Sequence, residues 1–246
     1  MVFRRFLLIF SLLLLVSSCR IVSISASDDP IICFTFDDQH EGVYRVALPI
    51  MEQYGFRGTC FVNTGRLFRP NFMIKDELIS LHNDYGWEIG GHTLLHEELV
   101  ELNYQEAMHV IVTDYDSLNS WGLHPRSFAH PGGDCPQEYF PLITDHYRNI
   151  RGSNDMAMHI PLNRLGLGYL PYQSGWSPRV IKDRIQRGIA DHEDLIIIGF
   201  HQIDMATDPY GSNCHTPVFT EIMEYVHELG VRVLPLDEAV EELSKS

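Results

Sequence analysis

IICFTFDDQH, residues 31–40, is an apolar run that ends abruptly at two adjacent carboxylates, Asp37 and Asp38. Apolar residues occupy both faces of the run, and this pattern predicts a strand buried on both sides, as in a parallel sheet covered by helices. The two acids then stand at the carboxyl end of the strand, where α/β folds place their chemistry. Neighbouring carboxylates repel each other unless a cation or a shared proton relieves them. The stretch therefore predicts either a functional acid pair or, as the plainer alternative, a helix cap or solvated turn.

Strand-like and helix-like segments alternate along the rest of the chain. Strands are predicted at 58–62, 87–89, 126–130, 195–200 and 231–234, and helices at 43–54, 75–83, 104–120, 138–147, 177–190 and 218–229. Residues 149–172 contain scattered Gly, Pro and Asn and give no clear assignment. Alternation of this kind predicts parallel strands joined by helical crossovers, which form either a doubly wound sheet or a barrel.

Polar residues at the ends of the predicted strands favour the barrel. These residues are Asp37, Asp38, Asn63, His92, His130 and His201. Strands spread around a barrel can direct all of these side chains to one mouth, whereas an open sheet would use fewer of them. We therefore predict an α/β barrel that occupies residues 29–246.

The charge and size of the chain limit its partners. The 246 residues include 33 acidic and 18 basic side chains, which give a formal net charge of -15. This charge disfavours nucleic acid or an anionic membrane surface as the main partner and leaves neutral or cationic polymers open. The length suits one globular domain once a leader is removed.

The N-terminus has the pattern of a targeting segment. Two arginines precede an apolar stretch, residues 6–16, that is short for a bilayer span and leads into Ser17, Ser18 and Cys19. The sequence around Cys19 resembles the lipobox of prokaryotic lipoproteins, which predicts a signal peptide at 1–18, a lipid anchor on Cys19 that attaches the chain to a membrane, and a linker at 19–28. An ordinary cleavable signal or an uncleaved anchor remains the alternative. Either way, the domain is predicted to be exported.

Export bears on the remaining cysteines, because disulfides persist outside the cytosol. Cys33 and Cys60 lie inside predicted strands and have the pattern of small core residues. Cys135 and Cys214 lie in loops rich in Gly and Pro. We therefore predict a disulfide between Cys135 and Cys214 that ties two loops over the barrel mouth.

His92 and His96 are four residues apart, a spacing that places both imidazoles on one side of the chain if it turns into a helix there. Two His and one carboxylate with open coordination positions suit a catalytic Zn²⁺ or a similar divalent ion. The spacing alone is weak, because the chain has 13 His.

Three motifs, in order, resemble the polysaccharide deacetylase (NodB-homology) family. They are Thr35-Phe36-Asp37-Asp38, His92-Thr93-Leu94-Leu95-His96 and Ile198-Gly199-Phe200-His201. The resemblance covers residues 31–242 and implies a distorted (β/α) barrel of about seven parallel strands. It also implies hydrolysis of an N-acetyl amide on a polysaccharide or oligosaccharide, with a divalent ion as cofactor, Zn²⁺ first and Co²⁺, Ni²⁺ or Mn²⁺ as alternatives.

The resemblance also implies a role for each matching residue. Asp38, His92 and His96 correspond to the metal ligands, Asp37 to the general base and His201 to the general acid. This division is chemically sound, since an ion lowers the pKa of water and polarises a carbonyl, while an amine leaves well only when protonated.

The third motif of the family is only partly present, as Ala129-His130-Pro131-Gly132-Gly133, and its arginine is missing. The N–H of Gly132 can still serve as an oxyanion donor, because that role needs no side chain. Arg151 and Arg126 are the candidates to replace the missing cation beside Asp37. Asp155 or Asp204 is the candidate to orient His201. His130, Pro131, Gly133, Arg151 and Trp176 are predicted to bind substrate.

The motifs and the resemblance leave three functions open. The first is an exported, metal-dependent polysaccharide deacetylase. The second is a hydrolase with the same fold that acts on a non-sugar amide, a cyclic imide or an O-acetyl ester. The third is a surface protein that binds carbohydrate without turnover, which the joint presence of a base, an acid and three ligands disfavours.

Overall fold

The structure is a computed structural model that describes residues 29–208 and 211–245. The predicted signal peptide, the lipid anchor on Cys19 and the linker at 19–28 lie outside these residues and stay predictions. Within the two described ranges, no helix has both the length and the apolar character needed to cross a bilayer.

Seven parallel strands form the main sheet, in the spatial order β5-β4-β3-β2-β1-β7-β6. Their bounds are β1 Ile31–Asp37, β2 Thr59–Val62, β3 Glu88–Gly91, β4 Ser127–Ala129, β5 Asn149–Arg151, β6 Leu170–Pro171 and β7 Leu195–Phe200. A separate pair consists of β8 Gln202–Ile203 and β9 Asn213–Cys214. Strand β1, which contains the apolar run, lies near the middle of the sheet, and all seven of its residues are buried, as the two-sided apolar pattern predicts.

A short segment links the two edges of the sheet. Leu167 forms a parallel bridge with Arg151 of β5, and the N–H of Gly152 donates to the Leu167 carbonyl. A few residues further on, β6 pairs with β7 at Pro171 and Gly199. The sheet therefore curls into a distorted (β/α) barrel, and the predicted fold is confirmed.

Seven α-helices accompany the strands in the described part of the chain. They are α1 Leu48–Glu52, α2 Lys75–Asn83, α3 Tyr104–Ser120, α4 Phe140–Thr144, α5 Pro178–Ala190, α6 Thr216–Leu229 and α7 Leu236–Leu243. The bounds of α2 and α3 agree with the prediction. The helix predicted at 43–54 begins instead with a π-helical turn, Val43–Ala47, which continues into α1.

The predicted strand at 231–234 is wrong. Only Val233 forms a bridge, to Ile32, and the chain then turns into α7, which the sequence pattern did not reveal. The carbonyl of Arg232 and the N–H of Leu234 both bond to Ile32. The pairing with β1 is limited to this one residue pair, because Pro235 follows at once and α7 begins at Leu236.

Aromatic side chains fill the layer between the sheet and the helices. The Phe36 ring lies 5.2 Å from the Trp87 ring and 5.7 Å from the Phe200 ring, and Phe219 of α6 packs 5.2 Å from Phe200. All four are buried, and burying a side chain of this size stabilises the fold by about 1.5–3 kcal/mol. This packing fixes the strands whose ends carry the polar residues.

The predicted disulfide is contradicted. Within the described residues, Cys33, Cys60, Cys135 and Cys214 are all free thiols. Cys214 is fully buried in the core around β1, whereas Cys135 packs at the edge of a different cluster, near α3 and α4. The loop context of these two cysteines was a poor guide, because Cys214 belongs to β9 and points into the core.

Candidate active site

A cleft of about 340 Å³ opens at the carboxyl ends of the barrel strands. It is lined by Asp37, Asp38, Arg66, His92, His96, His130, Gly132, Gly133, Ser153, Tyr169, Pro171 and His201. Asp37 is the last residue of β1 and His92 follows β3, while His130 and His201 follow β4 and β7. The barrel thus brings to one mouth most of the polar residues predicted to meet there.

Asp38, His92 and His96 form a cluster able to hold a metal ion. One ligand atom from each lies within 4.8 Å of the others. Asp38 Oδ1 is 3.6 Å from His96 Nε2 and 4.0 Å from His92 Nε2. Ligands about 2.0–2.2 Å from a tetrahedral ion stand roughly 3.3–3.6 Å apart, so the cluster is close to the size that such an ion needs.

The orientation of His92 fits this role. Its Nδ1 lies 2.6 Å from the carbonyl oxygen of Ala129, which only accepts, so Nδ1 carries the proton and Nε2 presents its lone pair to Asp38 and His96. Burial lowers the pKa of His92 to about 4, against the opposing pull of Asp37 and Asp38. The imidazole is therefore neutral at physiological pH, as a metal ligand must be. The residues fit a divalent ion.

The backbone at the cluster adopts unusual conformations. Asp38, Thr93 and His96 have φ of 69°, 64° and 70°, in the left-handed region that non-glycine residues rarely occupy. Each such residue costs of order 1–3 kcal/mol and persists only where its surroundings fix it. Here Asn63 supplies part of the fixation, since its side-chain amide donates to the carbonyls of His92 and Thr93.

Asp114 of α3 supports the same loops from below. The carboxyl group of Asp114 is fully buried, and its two oxygens accept the N–H of Thr64 at 2.8 Å and the N–H of His92 at 3.2 Å. One side chain thereby joins the loop after β2 to the loop after β3. Asp114 is thus a positioning residue that fixes the backbone of His92.

Asp37 has a different partner from its neighbour. Arg151 Nη2 lies 2.6 Å from Asp37 Oδ2, and both side chains are almost completely buried. The guanidinium carbon of Arg151 stacks 3.7 Å from the centre of the Tyr169 ring and 5.0 Å from that of Phe61. A cation held by two aromatic faces and one carboxylate is rigidly placed.

The pKa of Asp37 shows which effect dominates. Burial would raise it, but the charge of Arg151, with contributions from His201 and His92, lowers it below the ordinary value. Asp37 is therefore ionised throughout the physiological range and able to accept a proton.

His201 stands on the other side of Asp37. Its Nε2 lies 3.7 Å from Asp37 Oδ2, which is longer than a hydrogen bond, and its side chain is about a quarter exposed. No hydrogen-bond partner for His201 Nδ1 occurs among the described residues. The two groups thus face the same space without touching.

The loop after β4 forms one wall of the cleft. Gly132 and Gly133 have φ of 69° and 86°, and both line the cavity. A Cβ at Gly133 would meet Ser153 Cβ at 2.4 Å, so this close approach requires glycine. The Ser153 hydroxyl donates to the Gly133 carbonyl and fastens the loop to the chain after β5.

Several predicted residues lie elsewhere. Trp176 packs against Tyr172 at the rim of the core rather than in the cleft, Pro131 is buried beneath the loop, and Arg151 contacts Asp37 from a buried position rather than offering a surface to substrate. None of these three residues lines the cleft, and their predicted role in binding substrate stays a prediction. His130 and Gly133 do line the cleft.

The two candidates for orienting His201 are also engaged elsewhere. Asp155 pairs with Arg184 at 2.7 Å, and Asp204 lies 3.6 Å from His215. Arg126 is exposed and precedes β4, at the opposite end of that strand from the cleft. Of the two arginines considered as partners of Asp37, Arg151 is the one in contact with it.

The sequence did not single out Arg66, Ser153, Tyr169 or Pro171 as cleft residues. Arg66 lies in a 3-10 turn, Thr64–Arg66, and its Nη1 is 3.1 Å from Asp38 Oδ1. Its position in the sequence could have indicated a place in the cleft, because Arg66 comes three residues after Asn63, the polar residue that follows β2. The other three fall in the region 149–172, whose elements the pattern did not assign.

A barrel that gathers an Asp-His-His cluster, a second Asp and a further His at the carboxyl ends of its strands has the NodB-like architecture of the deacetylases. Residues 25–147, half of the chain, match the family model described as Polysaccharide deacetylase. The chain therefore belongs to the polysaccharide deacetylase family. No curated protein matches it.

Solved structures share the fold at low sequence identity. The peptidoglycan deacetylase PdaC from Bacillus subtilis is 21% identical, with a TM-score of 0.54, over 88% of this chain and 92% of that chain. A provisionally named polysaccharide deacetylase from Mycobacterium smegmatis is 14% identical, with a TM-score of 0.64, over 88% and 90%. A CE4 family pseudoenzyme from Bacillus anthracis is 18% identical, with a TM-score of 0.57, over 87% and 66%. At these identities the likeness concerns the fold.

Proposed function

We propose that this protein is a metal-dependent hydrolase that removes N-acetyl groups from an extracellular or cell-wall polysaccharide. The observation that carries the proposal is that two adjacent acids have different surroundings. Asp38 faces two imidazoles, whereas Asp37 is paired with Arg151 and faces His201. Membership of the family supports the same reaction. One carboxylate is thus suited to bind a cation and the other to move a proton.

Asp38, His92 and His96 would hold the divalent ion. We propose Zn²⁺, with Co²⁺, Ni²⁺ or Mn²⁺ as alternatives, because two imidazoles and one carboxylate suit borderline ions. When bound, such an ion polarises the amide carbonyl and makes water more acidic. The side chain of His96 is about a third exposed and is the most exposed of the three ligands, so in this proposal substrate reaches the ion from its side.

The other residues supply the proton transfers. Asp37 takes a proton from the attacking water, and Arg151 keeps the carboxylate ionised and in place. Gly132 lines the cleft, and in this proposal its N–H donates to the carbonyl oxygen as that atom gains negative charge. As the carbon–nitrogen bond breaks, His201 gives a proton to the departing nitrogen. Acetate and a free amine on the sugar are the products.

The protein would act at the cell envelope. The predicted signal peptide and the lipid anchor on Cys19 would tether the domain to a membrane through the linker at 19–28. A cleft of about 340 Å³ that opens to solvent suits one acetylated sugar of a chain that continues outside the cavity.

Acetate release tests the proposal and its alternatives. The purified protein, loaded with Zn²⁺ or Co²⁺, is incubated with chitooligosaccharides, an N-acetylated cell-wall polymer, an O-acetylated xylan and a small cyclic imide. We expect acetate from the N-acetylated saccharides that disappears on treatment with a chelator. Turnover confined to the ester or imide would support the second function considered above. Saccharide binding without release of acetate would support the non-catalytic one.

A further inference from the structure

The guanidinium of Arg66 is fixed beside the proposed metal site. Nη1 donates to Asp38 Oδ1 at 3.1 Å, and the side chain is only 10% exposed. The guanidinium carbon also lies 4.7 Å from the centre of the Phe72 ring. Contacts on two sides distinguish this pair from a mobile surface ion pair.

Arg66 bonds to the oxygen that the metal cluster needs. Asp38 Oδ1 is the atom that lies 3.6 Å from His96 Nε2 and 4.0 Å from His92 Nε2. The second oxygen, Oδ2, faces His40 at 4.0 Å. An ion held by the cluster would therefore share Oδ1 with a fixed positive charge.

The charges around the site also favour competition between Arg66 and a bound cation for Asp38. A metal ion binds imidazole only in its neutral form, so the three ligands supply one negative charge, from Asp38, and Arg66 balances it. The charge of Asp37 is already balanced by Arg151. A divalent cation thus enters surroundings that are close to neutral, whereas without Arg66 the same ligands would have a net negative charge.

Two effects of Arg66 oppose each other. A hydrogen bond to a ligand can orient it, and losing such support typically weakens metal binding by about 10–100-fold. Repulsion between like charges across one shared oxygen corresponds to roughly a factor of 100 or more in affinity at the effective dielectric of a protein. Orientation matters less here, because Asp38 follows the fixed end of β1 and Gln39 pairs through its amide with the backbone of Asn63.

We infer that Arg66 lowers the affinity of this site for divalent cations and keeps the ion exchangeable. The inference rests on the proposed metal site. It assigns to Arg66 a role in tuning the site, separate from the proton transfers of Asp37 and His201.

Direct metal binding tests the inference. The purified full-length chain, kept in detergent and stripped of metal, is titrated with Zn²⁺ and with Co²⁺ against a colorimetric chelator. We expect Arg66→Met to bind both ions at least tenfold more tightly than the wild type. Arg66→Lys keeps the charge and should stay within about threefold of the wild type. Arg69→Met is the matched control, since Arg69 is exposed on the same loop, and its affinity should not change.

The outcomes separate this inference from the proposed function. If Arg66→Met binds the ions as weakly as the wild type or more weakly, with native circular dichroism, the tuning role is wrong and Arg66 supports Asp38 instead. Should the Met variant fail to fold, Arg66→Gln gives the same comparison. If the wild type binds no better than Asp38→Ala, the metal site itself fails, and the proposed function falls with it.

Discussion

Asp37 and Asp38 are chemically identical neighbours whose surroundings give them different properties. Asp37 ends a buried strand and meets Arg151, while the left-handed backbone at Asp38 turns the second carboxylate toward the imidazoles. The sequence pointed to both acids because they interrupt an apolar run. The sequence left two candidates, Arg151 and Arg126, as the partner of Asp37. It could not decide between them, because Arg151 lies 114 residues further along the chain in a segment without clear periodicity.

Arg151 should stabilise the fold as well as the ionised state of Asp37. Arg151→Met leaves a buried carboxylate without its cation, and we expect the free energy of unfolding to fall by about 3–5 kcal/mol. The double variant Arg151→Met, Asp37→Asn removes both charges and should regain most of that loss. Urea denaturation followed by circular dichroism measures all three proteins. Equal losses in the single and double variants would show that the ion pair is not the cause.

At the scale of elements, the long and strongly patterned segments were predictable and the short ones were not. α3 begins at an Asn103 cap that accepts the N–H of Gln105 and of Glu106, a local signal that fixes its start in the sequence. β6 has only two residues, and its pairing depends on β7, which is distant in sequence. Such elements are set by tertiary contacts, so no local pattern announces them.

Asp114 connects a helix to the proposed metal site without touching an ion. In Asp114→Asn the amide can accept only one of the two N–H groups and directs a donor at the other, so the backbone of His92 loses its support. We expect affinity for Zn²⁺ to fall by about 10-fold or more. Asp116→Asn, an exposed change on the same helix, is the control in the same titration. Wild-type affinity in Asp114→Asn would contradict this role.

Glu88 joins α7 to the barrel, and its pKa gives a pH test. Glu88 Oε2 accepts the Thr59 hydroxyl and the N–H of Asp237, while Oε1 is buried without a partner in the described structure. Burial raises the pKa of Glu88, and these hydrogen bonds offset only part of the rise. The folded protein therefore keeps the Glu88 proton to a higher pH than the unfolded chain does, and the contribution of Glu88 to stability falls as pH rises above about 4.5.

Glu88→Gln should remove that loss. The amide oxygen still accepts both hydrogen bonds, but the group cannot ionise. We therefore expect the variant to gain stability relative to the wild type as pH increases from 4.5 to 7.5, measured as the difference in urea midpoints. A difference that stays constant, or that shrinks, with rising pH would contradict the assignment.

At the scale of the whole molecule, the barrel and the convergence of its strand ends followed from the sequence. A regular alternation of strands and helices required parallel strands, and polar residues after several strands required a common mouth. The sequence did not predict that Cys135 and Cys214 are free thiols, because the composition around them could not reveal that the two side chains pack in separate hydrophobic clusters. Loop context alone does not determine which thiols meet.

The location of the whole protein depends on Cys19 in our proposal. Cys19→Ala should prevent lipid attachment and shift the protein from the membrane fraction to the soluble extracellular or periplasmic fraction. Fractionation of cells that produce each form, with mass analysis of the N-terminus, measures this. A variant that still partitions with membranes and is processed normally would favour an uncleaved leader.

The different roles of the two adjacent acids are tested most directly by metal content and acetate release in paired variants. Asp38→Ala removes one of three protein ligands and should lose both metal and activity. Asp37→Asn keeps the shape but removes the proton acceptor, so metal should remain while turnover falls by about 10²–10⁴-fold. If Asp37→Asn loses the metal while Asp38→Ala retains it, the two roles are reversed. If neither change alters metal content or acetate release, the site is elsewhere.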